Sequence, residues 1–231
     1  MDEATKQHIK KYGYAFLQSL NPNSSTMEVA RTFGTPLEVS KQLGHRYIPD
    51  IQSLKPRQQN DNLKNQYSGY FGLGEFPLHT DLAHWSCPPR YLLLRCIVGS
   101  VSVKTNYIHI DKLEEMIGNS LIKKSVVKLR RSRVSTANCL LPTSFCSGGV
   151  DGVRWDSLFL SPMNIPANKI TNYLCREHFQ STLEHVILRN SGDTIIIDNW
   201  KMLHGRSAVD IQELGRLIER AYLTDLEVNY E

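Results

Sequence analysis

Cysteine is scarce and scattered. Cys87, Cys96, Cys139, Cys146 and Cys175 are odd in number and form no Cys-x-x-Cys. That spacing suggests neither a disulfide framework nor a zinc site. A reducing cytoplasm is the expected compartment. Long apolar runs are missing too, and nothing approaches the roughly 18 uninterrupted apolar residues of a membrane span. The polar start, Met1 to His8, lacks the apolar core of a signal peptide. Excess charge is small: 27 Lys and Arg against 23 Asp and Glu leave +4, too little to imply nucleic acid by itself. No repeat, low-complexity tract or linker interrupts the 231 residues, which predicts one domain over 1–231.

What is present centres on Phe76-Pro77-Leu78-His79-Thr80-Asp81. In an extended segment residues two apart point to one face, so His79 and Asp81 aim at one point. His204, near the end of the run that begins at Thr194-Ile195-Ile196-Ile197-Asp198, is the best third ligand. Two histidines and a carboxylate leave the opposite face of a metal open, the facial triad of a non-haem Fe(II) oxygenase. His84 has an odd offset from His79 and Asp81, which turns it away in a continuing strand.

The strand pattern around these stretches is coarse but ordered. Residues 4–12 read as a helix stopped by Gly13, and Tyr14–Leu17 as a strand. Ser25 and Glu28 suggest a capping box for a helix to Phe33. Residues 45–68 read as a long loop. Tyr91–Val98 reads as a buried strand, and Val101–Ile110 as another. Asp111 is the expected cap of a helix ending near Met116–Gly118. Residues 123–133 are basic and read as a half-exposed strand. Residues 139–156 read as a flexible loop and Ser157–Leu160 as a strand that Pro162 and Pro166 close. A helix over 168–185 precedes the final strands. Trp85 and Trp200 read as core. This is mainly β with flanking helices, a jelly-roll architecture.

Phe76-Pro77-Leu78-His79-Thr80-Asp81 is followed by Pro88-Pro89-Arg90-Tyr91-Leu92-Leu93-Leu94. Asn199-Trp200-Lys201-Met202-Leu203-His204-Gly205-Arg206 is followed by Arg216-Leu217-Ile218-Glu219-Arg220. The whole pattern, from about Tyr14 to Leu223, resembles the taurine dioxygenase/clavaminate synthase-like group of Fe(II)/2-oxoglutarate-dependent dioxygenases. The resemblance implies a double-stranded β-helix, Fe(II) as cofactor, and 2-oxoglutarate and O2 as co-substrates. It implies hydroxylation of an unactivated C–H bond, with release of succinate and CO2. The intact Asp81 argues against halogenation, for which the family vacates that position.

By the same resemblance Arg216 binds the distal carboxylate of 2-oxoglutarate, where a guanidinium supplies two parallel hydrogen bonds. Thr105 stands where the family has an assisting threonine, although Val101-Ser102-Val103-Lys104-Thr105 departs from the usual Gly-Gly-acid-Thr. Arg220, on the same strand face as Arg216, is expected to touch the co-substrate or an anionic substrate. Arg206 is expected to pair with Asp198 or another carboxylate. The substrate is expected to be a small polar molecule, amino acid-like or anionic, held between lids at 57–75 and 140–156. Arg220, Arg154, Glu75, Tyr67 and Asn65 are the candidate contacts. Two other readings stay open: a non-catalytic metal-binding jelly-roll module, and an oxygenase that docks nucleic acid or protein on the 123–133 run. No membrane partner is expected, and nucleic acid ranks below a small molecule.

Overall fold

The structure is a computed structural model and describes residues 1–42, 48–130 and 140–227. Helix α1 (Glu3–Tyr12) is capped by Asp2, whose carboxylate accepts from the Thr5 amide, and Gly13 ends it in the left-handed region. Strand β1 (Tyr14–Leu17) follows. The capping box is present at α2 (Thr26–Phe33): the Ser25 hydroxyl accepts from the Glu28 amide and the Glu28 carboxylate from the Ser25 amide.

Next come α3 (Val39–Gln42), β2 (Gln52–Leu54), α4 (Tyr67–Phe71), β3 (Phe76–His79), β4 (Tyr91–Val98) and β5 (Lys104–His109). The stretch 45–68 is therefore not all loop, and its residues 45–47 lie outside the described ones. Helix α5 (Ile110–Ile117) is capped by His109, whose ring nitrogen accepts from the Asp111 amide. Asp111 sits in the first turn instead, because the strand runs straight into the helix. Helix α6 (Asn119–Lys124) and β6 (Val126–Leu129) divide the basic run, whose residues 131–133 lie outside the described ones.

The expected loop at 139–156 is largely sheet: β7 (Leu140–Pro142), β8 (Ser144–Ser147) and β9 (Val150–Val153). Residue 139 lies outside the described ones. Gly148 and Gly149 have φ of 58° and 76° and form the two-residue turn of the β8–β9 hairpin. The strand expected at 157–160 is β10 (Leu160–Pro162). Pro166 stands at the start of α7 (Ile165–Leu174), where proline's missing N–H costs nothing. The helix expected over 168–185 is two, because Arg176 is extended between α7 and α8 (Glu177–Gln180). Strands β11 (Glu184–Ile187), β12 (Thr194–Asp198), β13 (Met202–Arg206) and β14 (Leu217–Leu223) complete the chain.

Two main antiparallel sheets result. One has the order β1-β12-β4-β14-β2, the other β11-β5-β13-β3. A smaller sheet, β10-β6-β7, and the β8–β9 hairpin stand beside them. Alternation along each strand sorts the apolar residues into layers. Leu93, Ile196, Ala221 and Leu223 pack on the α1 and α2 side with Ile9, Val29 and Phe33. Leu92, Leu94, Ile195, Ile197, Ile218 and Tyr222 turn the other way and meet Tyr107 and Met202 of the second sheet. Leu78, Ile108 and Leu203 leave that second sheet on its far face, toward α5, α6 and α7. Trp200 is buried, donates from Nε1 to the Pro88 carbonyl at 2.9 Å, and is core as expected. Among the described residues no helix is long and apolar enough to cross a membrane.

Candidate metal centre

Strand register brings two of the expected ligands together. His79 of β3 and His204 of β13 are direct partners across the ladder. Their neighbours Leu78 and Leu203 face the far layer, so both imidazoles face the space between the main sheets. Asp81 lies past the end of β3 but keeps the alternation. The intervening Thr80 stays in extended pairing, its amide donating to the Trp155 carbonyl at 2.8 Å. The three residues are buried, and their ligand atoms all lie within 4.8 Å of one another. Asp81 Oδ1 is 3.4 Å from His79 Nε2 and 3.7 Å from His204 Nε2.

The His79 ring is oriented for ligation, while His204 Nδ1 has no hydrogen-bond partner among the described residues. His79 Nδ1 is 2.8 Å from the Pro77 carbonyl. A carbonyl only accepts, so Nδ1 carries a proton, and in the neutral ring Nε2 is the nitrogen left to bind an ion. Burial alone would lower the His79 pKa, but the Asp81 carboxylate outweighs it and the net shift is upward. For His204, burial and the neighbouring His79 prevail and hold it down. Burial would raise the Asp81 carboxyl, yet Arg220 and the two histidines hold it well below the usual range. Two nitrogens and one carboxylate oxygen suit iron, and the donors fit such an ion.

Asp81 is held from behind by residues of two other segments, the turn before β13 and strand β14. The Asn199 side chain accepts from the Asp81 amide at 2.8 Å, and donates to its carbonyl at 3.0 Å and to Pro89 at 2.9 Å. Arg220 Nη1 donates to Asp81 Oδ2 at 3.0 Å, and the Tyr222 hydroxyl donates to the same oxygen at 3.1 Å. Arg220 also donates to the Gln52 side chain. Arg220 thus meets Asp81 and Gln52, partners the sequence did not reveal, while its Nε has no hydrogen-bond partner among the described residues. Asn199 and Tyr222 were not anticipated. Tyr222 shares a strand face with Arg220, so alternation could have found it, but nothing local pairs Asn199 with a residue 118 positions away.

His84 also differs in its reason. The strand does not continue, because Leu82 turns the chain at φ 54°. His84 lies against Phe159 with ring centroids 5.1 Å apart, and burial lowers its pKa.

A second group of polar residues lines the same inward face. Thr105 of β5 is buried and pairs with Arg206 of β13, while Tyr107 pairs with His204. Arg216, just before β14, is buried, and its Nε has no hydrogen-bond partner among the described residues. Burial pulls the Arg216 pKa down to about 10, and burial with the charge of Arg216 does the same to Arg206. Arg206 does not pair with Asp198, which meets Arg90 at 3.6 Å instead. It donates to the carbonyls of Gly72 and Gly74 at 3.1 and 2.6 Å and stacks over Phe76 at 3.6 Å.

Of the substrate candidates, Tyr67 is at the centre. Its ring stacks on His79 with centroids 4.2 Å apart, and its hydroxyl donates to Asp156 Oδ1 at 2.9 Å. Asp156, missed from sequence, is buried and also accepts from the Leu158 and Phe159 amides. Asn65 and Glu75 are exposed. Arg154 corrects the expectation: it is buried, and the carbonyls of Ala83, Trp85 and Ser86 accept from its guanidinium. It anchors the turn after Asp81. The 140–156 lid is corrected with it, since paired strands fill that range.

Gly205 shows how close the two ligand strands run. A Cβ there would sit 2.5 Å from the Phe76 carbonyl oxygen. Gly205→Ala should therefore push β3 off β13 and spread His79 from His204, with a stability cost of about 1–3 kcal/mol. Calorimetric metal titration and a melt check this, and wild-type metal affinity in Gly205→Ala would refute it.

No family model and no curated protein matches the sequence. Solved structures do. PvcB from Pseudomonas aeruginosa superposes with a TM-score of 0.64 at 15% identity, over 98% of this chain and 84% of that one. The non-haem iron oxygenase OrfP, bound to Fe, succinate and (3S)-hydroxy-L-Arg, gives 0.60 at 18% identity over 95% and 77%. Asparagine oxygenase, bound to Fe(II), 2S,3S-3-hydroxyasparagine and succinate, gives 0.59 at 16% over 77% and 57%. The chain thus spans less than two thirds of asparagine oxygenase. At these identities the shared property is the fold: this chain has the β-rich fold of non-haem iron oxygenases.

Proposed function

We propose that the chain is an Fe(II)- and 2-oxoglutarate-dependent oxygenase of the taurine dioxygenase/clavaminate synthase-like group. It is read as one domain over 1–231, with a double-stranded β-helix core. Its reaction is hydroxylation of an unactivated C–H bond in a small amino acid-like molecule, with succinate and CO2 as co-products. The observation that carries this reading is the convergence of His79, Asp81 and His204 on one buried point. Bound iron would supply activation of dioxygen at the expense of 2-oxoglutarate.

The residues divide the remaining work. His79 Nε2, His204 Nε2 and Asp81 hold the ion. Arg216 and Thr105 meet the distal carboxylate of the co-substrate, whose negative charge would answer a buried guanidinium with an unbonded Nε. Tyr67 covers His79 and limits water on that side. Arg154 is held by three backbone carbonyls, whereas Arg220, bonded to Asp81 and Gln52, keeps an unbonded Nε for an anionic group of the co-substrate or substrate. Amino acid chemistry is favoured because two structures of this fold hold hydroxylated asparagine and arginine.

The test is anaerobic reconstitution with Fe(II), then addition of 2-oxoglutarate, oxygen and each common amino acid or its amide. Succinate should form stoichiometrically with a product heavier by one oxygen atom for at least one amino acid. Failure to retain Fe(II) would refute the reading.

A further inference from the structure

The two oxygens of Asp81 have different surroundings. Oδ1 faces both histidine Nε2 atoms, at 3.4 and 3.7 Å. Oδ2 faces away and receives two hydrogen bonds, from Arg220 Nη1 at 3.0 Å and from the Tyr222 hydroxyl at 3.1 Å. A carboxylate oxygen offers about two lone-pair sites, so those of Oδ2 are filled by protein donors. Only Oδ1 is left for an ion.

Neither donor is free to leave. Tyr222 is 1% exposed and sits inside β14, paired with Leu92. Its hydroxyl is a buried polar group whose partner is Asp81. Arg220 is tied at its other end to Gln52 of β2, and its guanidinium lies 5.3 Å from the Tyr222 ring centroid. Both side chains leave the same face of one strand, which fixes them relative to each other.

We propose that Tyr222 and Arg220 are positioning residues that hold Asp81 as a one-oxygen ligand and so keep three positions on the bound iron open. The proposal rests on the oxygenase reading. Its chemical point is the coordination count. A six-coordinate ion with three protein bonds has room for both donor oxygens of 2-oxoglutarate and for dioxygen. If Oδ2 also bound, a fourth position would be filled and one of these would be displaced. Hydrogen bonds from a surrounding shell commonly set ligand orientation in this way.

Co(II) in place of iron gives a readout that needs no turnover. In a crystal of Co(II)-loaded wild-type protein, Oδ1 should lie about 2.2 Å from the metal, with Oδ2 unbonded and still held by Tyr222 and Arg220. Calorimetry should then show Tyr222→Phe, which keeps the ring and the packing, binding Co(II) at least as tightly as wild type. Its Co(II) form should bind 2-oxoglutarate about tenfold more weakly. A loss of mere packing would instead weaken both ligands together. Oδ2 bonded to Co(II) in the wild type, or 2-oxoglutarate affinity unchanged in Tyr222→Phe, overturns the proposal and leaves the oxygenase reading standing. Wild-type protein that takes up no Co(II) overturns both.

Discussion

Asp81→Ala is expected to lose its metal and its activity, and to melt at a lower temperature even when no metal is added. The first effect follows from removing the only anionic ligand of the group His79, Asp81, His204. The second comes from what stands behind it. Arg220 donates to Asp81 Oδ2, and without that carboxylate a largely buried guanidinium keeps, among the described residues, only the neutral Gln52 side chain as a bonded partner. The Tyr222 hydroxyl is stranded at the same time. Removing one partner of a buried ion pair costs about 3–5 kcal/mol, and the lower end applies because the Arg220 side chain is 23% exposed. For a chain of this size about 3 kcal/mol corresponds to about 6–12 °C in melting temperature. Thermal melts of the metal-free proteins isolate this term. Equal melting temperatures would show that Arg220 does not depend on Asp81, and retained iron would remove Asp81 from the site.

Arg216→Met is expected to move stability and binding in opposite directions. The wild-type guanidinium is buried, and burial holds its pKa near 10, below the usual arginine value. A methionine of similar length has no charge to desolvate, so the ligand-free variant should be more stable by an amount on the order of 1 kcal/mol, about 2–4 °C in melting temperature. The same change removes the fork proposed for the co-substrate. Wild-type protein at a 2-oxoglutarate concentration of 100 times its Kd should gain about 2.7 kcal/mol, and the variant should gain nothing measurable. Paired melts with and without 2-oxoglutarate, at fixed metal concentration, read both effects. A variant still stabilised by 2-oxoglutarate would move the anchor to another residue, with Arg206 first in line.

The ligands were legible because strand alternation is local. His79 and Asp81 are two apart, so parity gives their common facing, whereas His204 stands out only as a histidine near the end of a strongly apolar, strand-like run. The same rule placed Arg216 and Arg220 on one face. It could not say what each arginine would meet. The partner of Arg220 lies 139 residues earlier, and the Arg154 partners lie about 70 residues earlier. Both were read as free cations because the carbonyls and the carboxylate that hold them belong to distant segments. The 139–156 stretch was misread for a different reason. Glycines in a sequence suggest flexibility, whereas Gly148-Gly149 supplies the positive φ of a tight hairpin turn. Asp156 gave no signal, since an acid after Arg154-Trp155 is unremarkable until Tyr67 is folded against it.

The position of β14 has a consequence for the order in which this protein is assembled. It follows every other strand of the described residues in the chain, yet it lies inside its sheet, between β4 and β2. Tyr222 and Asp81 are 141 residues apart, and Arg220 and Asp81 are 139 apart. A chain growing from the ribosome at about 5–20 residues per second would hold β2, β3 and β4 for several seconds with an open slot where β14 belongs. During that interval β4 presents an unpaired, apolar edge, the kind of surface that invites wrong pairing. Contacts of such sequence separation also make folding slow. His204 is the last of the three candidate ligands to emerge, and Arg220 and Tyr222, which hold the Asp81 carboxylate, arrive later still.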